Sequence, residues 1–131
     1  MFIQLCQLFI VALVLNLIWE FLHSCLYQTC QDAPKTKYFE LIISASLKDG
    51  FFITLFFYFS YLMFENIDIF ANYGHLTLFI ILCLVFSFFD EKYSLKHQRW
   101  QYTDKMPLIL GVGVTPLLEL AVTGLLALLL I

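Results

Sequence analysis

Four carboxylates and a histidine stand in apolar stretches that offer them no water. In "LVLNLIWEFLHSCLY", residues 13–27, Asn16, Glu20, His23 and Tyr27 recur at i, i+4, i+7 and i+11, which places them on one helix face. A carboxylate one turn from an imidazole is a proton-handling pair, because either group can give or take a proton near neutral pH once its surroundings tune it. The same Glu-x-x-His spacing ligates metal in di-metal carboxylate bundles. Those bundles need the motif on two helices and it occurs once here, so the sequence predicts no metal and names no cofactor. A charged group at the bilayer centre costs ~2.5–3.5 kcal/mol even on the mildest scale, so this stripe is expected to face protein or trapped water. The competing reading ends the helix near Trp19 and leaves Glu20 and His23 at the headgroups.

Three further carboxylates extend the set. Glu119, in "GVGVTPLLEL", shares a four-residue repeat with Gly111, Thr115 and Thr123. In a helix that begins near Met106 it would lie roughly 18 Å in, just beyond a bend at Pro116. Asp49, in "SASLKDGFF", follows Ser46 and precedes Gly50, small residues that let a partner helix approach. Two readings stand for it. A helix from Phe39 carries it about 15 Å inside, whereas one from Lys48 uses it as an N-terminal charge. Lys48 is expected to snorkel outward. Glu91 joins Cys83, Ser87 and Ser94 on one stripe, with Asp90 as a solvated helix end and His75 as an interfacial residue.

In "YSLKHQRWQYTDKMP", Trp100 and Tyr102 read first as membrane-boundary anchors, and His97 as exposed. Arg99 is placed to pair with Glu91 or Glu20 through a charge-assisted bond. The sequence thus assigns proton donors and acceptors to Glu20, His23, Asp49, Glu91 and Glu119, and substrate contacts to Asn16, Arg99, Trp100 and Tyr102.

The elements that must hold these groups are apolar helices. The chain has 131 residues, of which 62% are hydrophobic and only 13% charged. A soluble domain is about half apolar and a quarter charged, so the surplus needs lipid. Apolar runs at 2–27, 39–64, 72–92 and 106–131 each approach or exceed the ~20 residues that cross a bilayer. Runs such as "FFITLFFYFSYLMF" lack the alternation of a β-barrel strand. The first run has no basic residue before it and is too long for a signal-peptide core. The expectation is an all-α, single-domain bundle of four transmembrane helices over residues 1–131.

Charge sets its orientation. Lys35, Lys37 and Lys48 lie around the first connection, and Lys92, Lys96, Arg99 and Lys105 around the third; the second, "ENIDIFANYGH", has no Lys or Arg. The positive-inside rule puts loops 28–38 and 93–105 in the cytoplasm and both termini outside a plasma membrane. Seven basic residues, all used in topology, argue against nucleic-acid binding. Cys6, Cys25, Cys30 and Cys83 form no CxxC pair.

The motifs "NLIWEFLHSCLY", "LKDG", "RWQYTDKMP" and "GVGVTPLLEL" together resemble, over essentially the whole chain, a family of small four-span bacterial membrane proteins with an N-L-x-W-E … W-x-Y-x-x-x-M-P … G-x-G-x-x-P pattern. The order Lys48-Asp49-Gly50 departs from that family's Gly-Asp pair, and Glu119 stands where Gln is more typical. The resemblance implies a topology, a bacterial inner-membrane setting and a site location, and it names no reaction. Over the last third of the chain, Trp100-x-Tyr102 and Pro116-x-x-Glu119 are similar to the short motifs of membrane-bound lycopene cyclase domains. The paired Glu-Glu of that motif is absent, since Leu120 follows Glu119.

The expected function is a carboxylate-rich site inside the bundle, toward the cytoplasmic side, that binds or acts on a lipid or isoprenoid by acid–base chemistry. An ion or proton pathway uses the same groups but requires an oligomer, since four helices enclose little water. A non-catalytic accessory subunit is the third reading.

Overall fold

The computed structural model describes residues 1–131 and is all-α apart from one short hairpin. Helix α1 spans Phe2–His23 and passes through a 3-10 turn, Ser24–Leu26, to the short α2, Gln28–Asp32. Helix α3 spans Lys35–Phe64, α4 spans Tyr73–Lys96 and α5 spans Val114–Leu130. The hairpin pairs β1, Leu108–Ile109, with β2, Val112–Gly113. Three helical segments, Phe2–Leu26, Lys35–Phe64 and Tyr73–Lys96, are long and apolar enough to cross a membrane; α5 is apolar but has 17 residues.

Local chemistry sets the boundaries. Pro34 lacks the N–H that an earlier turn would need and stands at the N-cap of α3. The helix therefore begins at Lys35, four residues before the expected Phe39, and Asp49 lies about 21 Å along it. The reading in which a helix starts only at Lys48 is excluded. Helix α3 stops at Glu65, in the left-handed region at φ 51°. Asn72 caps α4 by accepting hydrogen bonds from the N–H groups of Gly74 and His75 at 2.8 and 3.2 Å. Helix α1 continues to His23, so it does not end near Trp19.

The fourth apolar run departs most from expectation. Leu110 and Gly111 both take positive φ, 52° and 80°, which makes the tight turn of a two-residue hairpin. Helix α5 starts after it, so Gly111 lies outside the stripe of Thr115, Glu119 and Thr123. Pro116 is in the first turn, where its missing N–H would have been unpaired in any case, and it does not bend the helix before Glu119. Glu119 lies about 7 Å along α5 rather than 18 Å.

The long helices pack with α1 against α3 and α5, and α4 against α5 and α3. Leu8, Ala12, Ile53, Phe57, Phe79, Cys83 and Leu120 form the core between them. Two glycines permit the close approach. A Cβ at Gly50 would meet the Leu13 backbone of α1 at 3.4 Å, and one at Gly124 would meet the buried Phe79 ring at 2.8 Å. His75, near the start of α4, is fully buried in the protein: its Nε2 pairs with Ser60 Oγ at 2.9 Å between the rings of Phe57 and Phe64.

Candidate functional site

The last turn of α1 and the first two turns of α5 meet at one end of the bundle. The i, i+3 spacing puts Glu20 and His23 on one face, with His23 Nε2 3.0 Å from Glu20 Oε2. From α5, Glu119 Oε2 stands 3.8 Å from the same nitrogen. Thr115, one turn before Glu119, meets the other ring nitrogen: His23 Nδ1 and Thr115 Oγ1 are 3.0 Å apart. The Thr115 hydroxyl also lies 3.5 Å from Met106 Sδ, to which it can donate. His23 and Glu119 are buried, and Glu20 is nearly so.

Asp49 comes from the middle of α3. It lines the same cavity as Glu20 and Glu119, and one carboxylate oxygen of Glu119 lies within 4.8 Å of one of Glu20. Asn16, one turn deeper on α1, gives its amide to the Ala12 carbonyl at 2.7 Å and accepts from Thr123 Oγ1 at 3.2 Å. It ties α1 to α5 and does not line the cavity, so the expected substrate contact gives way to a packing role.

Glu91, near the end of α4, gathers the loop. It accepts hydrogen bonds from Tyr27 Oη at 3.4 Å, Trp100 Nε1 at 3.1 Å and Tyr102 Oη. Tyr102 Oη in turn accepts the Gly113 N–H at 3.0 Å. Backbone pairing fixes this arrangement: Gln28 N–H donates to Gln101 O and Thr103 N–H to Leu26 O, each at 2.8 Å. Trp100 and Tyr102 are thus held inward as donors and are not merely boundary anchors. Arg99 does not pair with Glu91 or Glu20; its guanidinium lies over the Trp100 ring, 5.2 Å from the centroid, and is exposed. The expected ion pair fails because Trp100 and the two tyrosines already occupy both oxygens of Glu91. Lys48 does not snorkel and Asp90 is not a free helix end. They pair across α3 and α4 at 2.7 Å.

Part of this set lines a cavity of ≈ 230 Å³, while His23, Thr115 and Tyr102 stand behind its wall, so the substrate contact expected of Tyr102 gives way to its hydrogen bond with Glu91. Its wall includes Glu20, Asp49, Glu91 and Glu119, the rings of Tyr27 and Trp100, and the apolar side chains Leu41, Ile42, Ala45, Phe86 and Leu120. Lys48, Asp90 and Arg99 also line it. Four of the five expected proton-handling residues meet here, and the fifth, His23, touches two of them. Tyr27 and Thr115 were visible in their stripes without being assigned a role. The Lys48–Asp90 pair had no sequence signal, since the partners are 42 residues apart.

Burial, reinforced by the Glu91 carboxylate, pushes the phenols of Tyr27 and Tyr102 above the usual tyrosine range. Burial, and then Glu20, pushes the Cys30 thiol up in the same way. For the tyrosines the folded value lies above the unfolded one. Their contribution to stability is therefore complete below about pH 10 and is lost as pH rises through the folded value. An alkaline titration followed by phenolate absorbance is expected to give equal signals at about pH 10 for wild type and a Tyr27→Phe/Tyr102→Phe variant. A weaker signal in the variant would show that one of these phenols had already ionised.

No protein-family model, curated protein or solved structure matches this chain.

Proposed function

We propose that this is a multi-pass protein of a bacterial plasma membrane whose cavity binds the reactive end of a lipid or isoprenoid and acts on it by acid–base chemistry. In this reading the chain belongs with the small four-span family whose motifs it resembles. Helix α5 supplies the fourth crossing: it covers about 25 Å of the ~30 Å hydrocarbon layer. The exposed apolar tip of the hairpin, Leu108, Ile109 and Leu110, continues its apolar surface. The basic residues all belong to the first half of α3, the end of α4 and the loop that follows it, at the site end of the bundle, so in this reading that end faces the cytoplasm and both termini lie outside.

The observation that carries the reading is the make-up of the cavity. Partly buried Leu41, Ala45 and Phe86 line it together with exposed Ser44 and Arg99 and the part-exposed Lys48–Asp90 pair, and Asp49, Glu91 and Glu119 are buried within it. An entrance of mixed apolar and charged side chains ending at buried carboxyls suits an amphiphile with a proton-accepting or proton-donating end. The volume is below that of a pocket enclosing a whole drug-sized ligand, about 300–1,000 Å³, so most of a long chain would lie outside among the lipids. The ion-pathway alternative has less support. Past Asn16 and Thr123 the interior is filled by Leu8, Ile53, Phe57 and Phe79, all 0–2% exposed, which leaves no polar route onward.

Lipid extraction of the detergent-purified protein, followed by mass spectrometry, tests this. A neutral lipid or isoprenoid enriched over bulk membrane lipid is expected, and Ala45→Trp at the entrance should deplete it. No enrichment over bulk lipid would end the reading. Topology is tested separately by labelling cysteines introduced at Asn66 and Gln101: Asn66 should react from outside and Gln101 from the cytoplasm, and the reverse would overturn the orientation.

A further inference from the structure

We propose that Glu20, His23 and Glu119 form a binding site for a divalent first-row cation at the floor of the cavity, with one coordination position left open toward it. The sequence expectation of no metal rested on a single Glu-x-x-His motif; the fold adds the third ligand from α5. One ligand atom from each residue lies within 4.8 Å of the others, with His23 Nε2 at 3.0 Å from Glu20 and 3.8 Å from Glu119. Ligands bound at about 2.0–2.2 Å from a common ion stand roughly 3.0–3.5 Å apart, so a small rotation of Glu119 closes the set.

Glu119 supplies an independent reason. Its side chain is only 5% exposed, its Oε1 has no hydrogen-bond partner, and no Lys or Arg pairs with it. A buried carboxylate left without a donor is expensive to retain. A cation satisfies it; the competing solution is a proton shared with Glu20.

The ring of His23 is also set for ligation. When Thr115 donates to Met106 Sδ it accepts from His23 Nδ1–H, which leaves the lone pair on Nε2 directed at the two carboxylates. Outer hydrogen bonds of this kind orient ligating histidines generally. One imidazole with two carboxylates is a nitrogen–oxygen set suited to Zn²⁺, Mn²⁺ or Fe²⁺, and it has too few ligands for Ca²⁺. Glu20 and Glu119 line the cavity, so the vacant position faces whatever enters it.

The test is direct metal binding, independent of whether a lipid is present. The full chain is purified in detergent through a histidine-free tag, stripped with a chelator, and given Zn²⁺ or Mn²⁺ alone. About one equivalent is expected to remain after gel filtration. Glu119→Gln and His23→Ala should each weaken binding by about 100-fold or more, and Thr115→Val by about 10-fold through loss of ring positioning. Cys30→Ser should bind as wild type does. Co²⁺ loading of the unaltered protein should give the visible spectrum of nitrogen–oxygen ligation, a readout that needs no variant to fold. Clearly substoichiometric metal in wild type overturns the proposal in favour of the shared proton. Stoichiometric binding that survives both Glu119→Gln and His23→Ala overturns it as well, because the ion then sits elsewhere.

Discussion

Under the proposed acid–base function, Glu20→Gln is expected to lower lipid conversion by at least about 100-fold per folded molecule, the range in which a positioned acid–base group contributes. Glu20 is central to the set: His23 lies 3.0 Å away, an oxygen of Glu119 lies within 4.8 Å, and Asp49 lines the same cavity. The amide keeps the shape and the capacity to hydrogen bond while removing the ionisable carboxyl, so it ends proton transfer at this position and, where a cation is bound, the ligation by Glu20 as well. Folding should therefore survive, as judged by monodispersity in detergent and by the unfolding midpoint. On the proposed family resemblance, whose pattern carries Gln at this position, Glu119→Gln should be milder toward the lipid. Metal affinity and lipid conversion thus separate in that variant. Wild-type conversion in folded Glu20→Gln would remove Glu20 from the chemistry. Equal loss of folded protein in Glu20→Gln, Glu91→Gln and Glu119→Gln would make the carboxyls structural.

The second large effect is on stability. Glu91→Leu is expected to destabilise the protein by about 2–4 kcal/mol, since it removes the acceptor shared by buried Tyr27 and partly buried Trp100 and Tyr102. The loop from His97 to Met106 should loosen first, because Glu91 is where its inward side chains attach to α4. Limited proteolysis would report this as earlier cleavage near Gln101, and chemical unfolding in detergent would give the magnitude. Glu91→Gln keeps an accepting oxygen and should recover at least half of the loss. A Glu91→Leu protein within about 1 kcal/mol of wild type would contradict a tethering role. This arrangement makes Glu91 a positioning residue whose substitution acts on the site through the loop.

Much of the fold was legible because its signals are local. Apolar content alone requires a nonaqueous surround, and helical periodicity placed Asn16, Glu20, His23 and Tyr27 on one face without any knowledge of neighbours. Small residues at Ser46 and Gly50 announced a close helix contact, and α1 makes it at Leu13. The fourth helix was misjudged where a local backbone choice overrode periodicity. Leu110 and Gly111 take left-handed conformations that hydropathy cannot register, and they convert an apparent helical turn into a hairpin.

The composition of the site belongs to the tertiary structure. Which carboxyls meet depends on the rotation and depth of four helices, and neither is encoded in any one segment. Glu119 was read as a mid-membrane group, yet the late start of α5 brings it level with the last turn of α1 and against His23. Arg99 had the right charge for Glu91 and lost that place to Trp100 and Tyr102, because backbone pairing with residues 26–28 turns those two side chains inward. Lys48 and Asp90 looked like separate surface charges until α3 and α4 were packed together. A sequence determines which groups cannot remain alone in an apolar interior; only the packing decides which partner each one finds.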